Sequence, residues 1–254
     1  MIGMTSWLRG EYERAIEFQE RTAQAGRASG LPYLEAMGLC ALGTAHLDIS
    51  PDLFDKTSEF HSQSMKLMES PLGAVMGGLG GAWLLRACGG QSGGCRRPLQ
   101  QGAHRVSTAS KFLARPQLRV GAAFVALGQG DAAEAQRLVQ EAREFAEERG
   151  MRFTYPMLGF AEGQISAVAG DPQQALEAFA RGEELGLEMR MRPMVLNTRA
   201  GAAQVLAGLG RSDEAQANLG GAREMAEEIA GLFESEEMRR MYVDAAMKRL
   251  APSS

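Results

Sequence analysis

The sequence predicts an all-α protein, an α-solenoid of stacked antiparallel helix pairs with a 40-residue period. Three observations predict it. Alanine outnumbers Val, Ile and Thr together by 39 to 21; alanine loses no side-chain entropy in a helix, whereas β-branched side chains are restricted against the preceding turn. A sheet protein would want the opposite ratio. Turn-type residues then recur at Gly10, Ser50, Gly90, Gly130, Gly170 and Gly210, an unbroken spacing of 40. Finally, helix-start chemistry follows several of these turns, so the period is one of helices rather than of composition alone.

Taken in chain order, residues 1–30 form an N-terminal half-unit, in which residues 1–9 are a stub of a first helix and Gly10 precedes a second. Such a stub implies a piece of a longer ancestral array, or one completed by self-association. Units follow at about 31–70, 71–110, 111–150, 151–190 and 191–230, within one domain spanning 1–254. Each holds two helices of about five turns. Ser50-Pro51, Asp131 with Glu134, and Asp171-Pro172 with Gln174 supply N-caps, first-turn prolines and capping-box patterns for the second helices. Pro116 and Pro156 open two of the first helices. Small residues repeat at Ala41, Gly81, Gly121, Ala161 and Gly201, and along the second helices at Ala142, Gly182 and Ala222. They keep one helix face thin for a neighbour, which offsets the propensity cost of the interior glycines. Gly89 to Gln101 reads as a loop that delays its helix to about Pro98. Residues 235–250, with Met238, Met241, Tyr242, Ala245 and Ala246 set against Arg239, Arg240, Lys248 and Arg249, read as a polar-faced capping helix.

The run Gly-Asp-x-x-x-Ala with a small residue seven later resembles the second-helix signature of the tetratricopeptide repeat. It stands here as Gly130, Ala135 and Ala142; Gly170, Ala175 and Gly182; and Gly210, Ala215 and Ala222. The first helix's small packing position falls on Gly43, Ala123, Gly163 and Ala203, with the bulky Trp83 as a departure. The period of 40 also departs from the family's 34. Longer helices with this motif look like the C-terminal repeat regions of bacterial ATPase-linked adenylate cyclases and maltose-regulator-type activators. The resemblance implies a bacterial, cytoplasmic scaffold or sensor in a regulatory assembly, or a structural segment of a larger ATPase or cyclase-like regulator.

Composition narrows the function classes. A net charge of −4 argues against an electrostatic nucleic-acid binder. No apolar run reaches the roughly 20 residues of a membrane span. Cys40, Cys88 and Cys95 are too few for a disulfide scaffold, and Cys88, Cys95 and His104 lack zinc-site spacing. Gly90-Gln91-Ser92-Gly93-Gly94 matches G-x-S-x-G, but no strand precedes it, and a hydrolase using the 89–101 loop is the remote alternative. The glycines at 77–81 lack the Lys of a phosphate loop. The expectation is a non-catalytic protein without metal or cofactor.

The tetratricopeptide family binds extended peptides on its concave, first-helix face. Carrying the groove positions across gives one ladder of Gln117, Met157 and Asn197, and a second of Phe124, Gln164 and Gln204 seven residues further on. Amides there could grip a peptide backbone, with Phe124 and Met157 offering apolar pockets. An ordinary solvated face is the alternative.

Overall fold

A residue in the left-handed backbone region follows most of the described helices, which is how a 40-residue spacing becomes a stack. Gly10, Gly130, Gly170 and Gly210 lie at φ +79°, +82°, +81° and +72°. Arg190, φ +55°, takes the same region without the freedom of glycine. The computed structural model describes residues 2–67 and 115–251, and these contain helices and no strand. The α-helices are α1 (Ile2–Leu8), α2 (Tyr12–Ala28), α3 (Pro32–Ile49), α4 (Phe54–Leu67), α5 (Arg115–Gly128), α6 (Ala132–Glu148), α7 (Tyr155–Val168), α8 (Pro172–Glu188), α9 (Arg192–Gly208), α10 (Ser212–Ala230) and α11 (Glu236–Arg249). Single 3₁₀ turns, Pro51–Leu53 and Arg152–Thr154, lead into α4 and α7.

The caps explain the helix starts. Asp131 and Asp171 each accept a backbone N–H three residues on, from Glu134 and Gln174, at 3.0 Å. These bonds satisfy donors that the first turn leaves orphaned. The returning half of the capping box takes another form: Gln174 Oε1 accepts from the Ser166 hydroxyl, and Glu134 pairs with Arg137. Ser50 caps a 3₁₀ turn instead of a helix, accepting from Asp52 N–H at 3.2 Å.

Consecutive helices pack antiparallel in pairs, and the first helices α5, α7 and α9 also touch one another as a layer. The small residues work as the spacing implies. Ala142 and Ala222 are fully buried, and a Cβ on Gly159 would come within 2.8 Å of the Gly182 backbone. Phe179 on α8 lies against Gly163 of α7, and its ring would also stand 2.6 Å from a Cβ on Gly201 of α9. The rings of Phe124, Phe160 and Phe179 extend this contact back to α5 in the preceding unit, with centroids 5.9 and 6.1 Å apart.

Ion pairs stitch the layers in sequence. Arg119 of α5 meets Glu141 of α6, and Glu162 of α7 takes both Arg143 of α6 and Arg181 of α8. Arg199 of α9 then bonds Glu183 of α8 at 2.7 Å and the Gly221 carbonyl of α10 at 2.9 Å. At positions one unit apart, Arg143 and Glu183 carry opposite charges. A helix slipped by one unit would therefore set like charges face to face, so the pairs favour one neighbour over another.

The two ends of the chain meet. Tyr12 of α2, Phe233 and Tyr242 of α11 form an aromatic triangle with centroids 5.5 to 6.0 Å apart. The Glu13 carboxylate accepts the Glu234 and Ser235 backbone N–H groups at 2.6 and 2.9 Å, across more than 220 residues of sequence. Ser235 in turn caps α11 by accepting from Met238 N–H. Arg192 reaches the Arg9 carbonyl at 3.2 Å and Glu228 at 3.3 Å. The α11 segment buries Tyr242, Ala245 and Ala246 against α10 and α3, while Arg239, Arg240, Lys248 and Arg249 on its polar face stay exposed. The N-terminal half-unit is covered by the chain's own last unit.

Candidate functional site

Helices α5, α7 and α9 carry the six predicted groove residues at matching positions one unit apart. Gln117, Met157 and Asn197 fall in the first half of each helix, and Phe124, Gln164 and Gln204 two turns later. Five of the six are half-buried and Gln204 is exposed. Gln117 Oε1 is buried without a hydrogen-bond partner. Gln164 lies against α9, its Nε2 standing 3.1 Å from where a Cβ on Gly201 would be. Phe124 and Met157 are partly spoken for: both pack against the core between α5 and α7, and the Phe124 ring meets Phe160. Gln204 is the one exposed member of the two ladders.

The same register reaches α3, and its positions in the unit between α3 and α5 lie outside the described residues. Three units before Met157 and Gln164 stand Met37 and Thr44 of α3. Thr44 is buried and its hydroxyl donates to the Cys40 carbonyl of its own helix at 3.1 Å. Helix α3 packs against α2, α4 and α11. Met37 is half-buried, as Met157 is, so the two helices differ at Thr44, which is buried where Gln164 is half-buried.

A second polar arrangement escaped the sequence reading. Thr57, His61 and Ser64, spaced i, i+4, i+7 on α4, form hydrogen bonds to the Gly43, Cys40 and Ala36 carbonyls of α3 at 3.1, 3.2 and 2.8 Å. Since a carbonyl only accepts, His61 carries its proton on Nε2, and its buried Nδ1 has no partner. His46 is the mirror case: Nδ1 donates to the Leu42 carbonyl at 2.8 Å, and Nε2 is buried without a partner beside the Phe60 ring. Burial pushes both imidazoles below the ordinary histidine value, with Lys56 adding to the effect at His46. The signal was available as helical spacing of hydroxyls and an imidazole. Cys40 is buried between these histidines' helices as the small core residue expected.

Other titratable groups respond to simple neighbours. Burial raises the Tyr242 hydroxyl, while Arg137 and Arg211 hold the exposed Glu134 and Glu214 carboxyls low. Among the described residues no three His, Cys, Asp or Glu side chains gather to hold a metal ion. No described helix is long and apolar enough to cross a membrane. The glycines at 77–81, Trp83, Cys88, the 89–101 loop with Ser92 and Cys95, and His104 lie outside the described residues. Scanned against protein-family models and compared with curated proteins, the chain matches none.

Proposed function

We propose that the chain is a non-catalytic binding module that holds an extended protein or peptide segment along the first-helix layer of α5, α7 and α9. The observation that supports this reading is the pair of ladders: equivalent amide and apolar side chains, five half-buried and Gln204 exposed, repeated one unit apart on three adjacent helices. An extended peptide exposes a donor and an acceptor at each residue, and side-chain amides offer both. The N-terminal unit, whose first helix buries Thr44 at the ladder position, takes no part. In this reading the module serves as scaffold or sensor in a regulatory assembly of bacterial, cytoplasmic type.

Affinity capture tests the reading, with the native chain set beside Gln164→Ala/Asn197→Ala/Gln204→Ala. Helix content and unfolding midpoint of the variant show that it folds. A segment held by the native chain and held roughly tenfold more weakly by the variant supports the ladder, since each lost hydrogen bond is worth about 0.5–1.5 kcal/mol. Equal capture by both removes it.

A further inference from the structure

We propose that the segment held along α5, α7 and α9 is uncharged where it crosses those helices, so that the partner's recognition stretch consists of amide, hydroxyl and apolar side chains. This rests on the peptide-binding reading and specifies what that face accepts.

The argument is where the first helices put their charges. Among the described side chains of α5, α7 and α9 the charged ones are Arg119, Glu162, Arg192 and Arg199. Ladder members seven residues apart share a helix face to within about 20° at 3.6 residues per turn. Arg119 and Arg199 follow Gln117 and Asn197 by two residues, which turns them about 160° away. Glu162 follows Met157, and Arg192 precedes Asn197, by five residues, or about 140° of turn. All four therefore stand on the side of the helix opposite the ladders, and all four are engaged there. Arg119 meets Glu141 of α6, and Glu162 takes Arg143 of α6 and Arg181 of α8. Arg199 bonds Glu183 of α8 and the Gly221 carbonyl, and Arg192 bonds Glu228 of α10 and the Arg9 carbonyl. Between the two ladders run Val120, Phe160 and Ala200, equally without charge.

A ligand on this face thus meets amides and apolar groups and no ionic partner. An ammonium or carboxylate laid there gives up water without gaining an opposite charge, whereas a neutral amide or hydroxyl finds donors and acceptors of its own kind. The face discriminates by that difference. Charges on the second helices lie a further interaxial distance of about 8–10 Å behind, roughly one Debye length at physiological salt. Two such steps separate α5 from α9, so an extended chain crosses them in about six residues.

The test uses the full chain. Peptides are selected on it from a random display library, and the tightest binder is measured against Gln164→Ala/Asn197→Ala/Gln204→Ala, after circular dichroism shows that this variant folds. Weaker binding by the variant assigns the peptide to the ladders. Every position of the peptide is then replaced in turn by Lys, Glu and Gln. The expected result is a run of about six positions at which Lys and Glu each weaken binding about tenfold or more and Gln does not, with charge tolerated on either side. Affinity should move less than about twofold between low and high salt. Gln204→Lys, at the exposed ladder position, should recover one of the Glu-substituted peptides. Charge tolerated throughout the peptide, a ladder-bound peptide that needs its charge, a steep salt dependence, or no recovery on Gln204→Lys overturns the proposal and leaves the peptide-binding reading standing. No binder at all, or binders held equally by the triple variant, overturns both.

Discussion

Two helix pairs of this molecule solve one packing problem with different chemistry. In α7–α8 the Phe179 ring lies on Gly163; in α3–α4 the His61 ring lies on Gly43, and the two glycines are three 40-residue steps apart. A Cβ at Gly43 would stand 2.6 Å from the imidazole, and one at Gly163 would collide with the phenyl. The phenyl is held by contact alone, 1% exposed and reaching on to α9. The imidazole is one member of a three-rung ladder of side-chain bonds to α3 carbonyls. Conserved geometry thus leaves the chemistry of a contact free to vary, and with it the response to mutation and acid. The pairs differ in access too. At one ladder position Thr44 of α3 is buried, whereas Gln164 of α7 is half-buried.

The largest difference should appear on truncation. Phe179→Ala empties a slot shared by three helices and should cost about 3–5 kcal/mol, as large aromatic deletions in cores do. His61→Ala leaves a smaller void and forfeits one hydrogen bond, for a cost of about 1–3 kcal/mol. Urea unfolding measures both, and equal costs would break the comparison. Filling the slot from the glycine side comes next. Gly163→Ala should destabilise by about 1–3 kcal/mol through overpacking, because the ring behind it is pinned by Gly201. Gly43→Ala should cost less, since the imidazole can yield at the expense of its bond to Cys40.

Acid should separate the pairs further. With both imidazoles lowered in the folded state, the unfolded chain binds more protons between the folded values and the ordinary 6.5. Their contribution to stability is complete above pH 6.5 and is lost as pH falls below it. His61→Phe should flatten that part of the stability profile, leaving the share due to His46. Phe179→His should add acid sensitivity to α7–α8. The smallest expected effect is at Arg190, a non-glycine residue with φ +55°: Arg190→Gly should stabilise by about 1 kcal/mol, raising the unfolding midpoint.

Much of the stack was legible because local rules write themselves into sequence at short range. Gly130-Asp131 and Gly170-Asp171 announced a turn and a cap, and both are present with the expected bond. The small positions at Ala142 and Gly182 marked close helix contacts. What filled those contacts was less legible: Gly163 gave notice of a near neighbour without naming Phe179. Capping boxes at Glu134 and Gln174 were half right, since better partners, Arg137 and Ser166, lie within reach. The meeting of the two chain ends left no trace, because a bond from Glu13 to the backbone of residues 234 and 235 follows no period. The six ladder residues were placed together on adjacent helices as their register implied. The packing of Phe124 against Phe160 was not, for it joins positions in neighbouring units rather than equivalent ones.

The central claim is that the open face for a peptide lies on α5, α7 and α9 and not on α3, where Thr44 is buried. A random peptide display library selected on the full chain, followed by NMR mapping of the best binder, tests it most directly. Shifted side-chain amide resonances are expected at Gln117, Gln164, Asn197 and Gln204, with Thr44 and its neighbours on α3 unmoved. Failure to select any binder, or perturbations gathered on α3 and α4 while those amides stay in place, would contradict it.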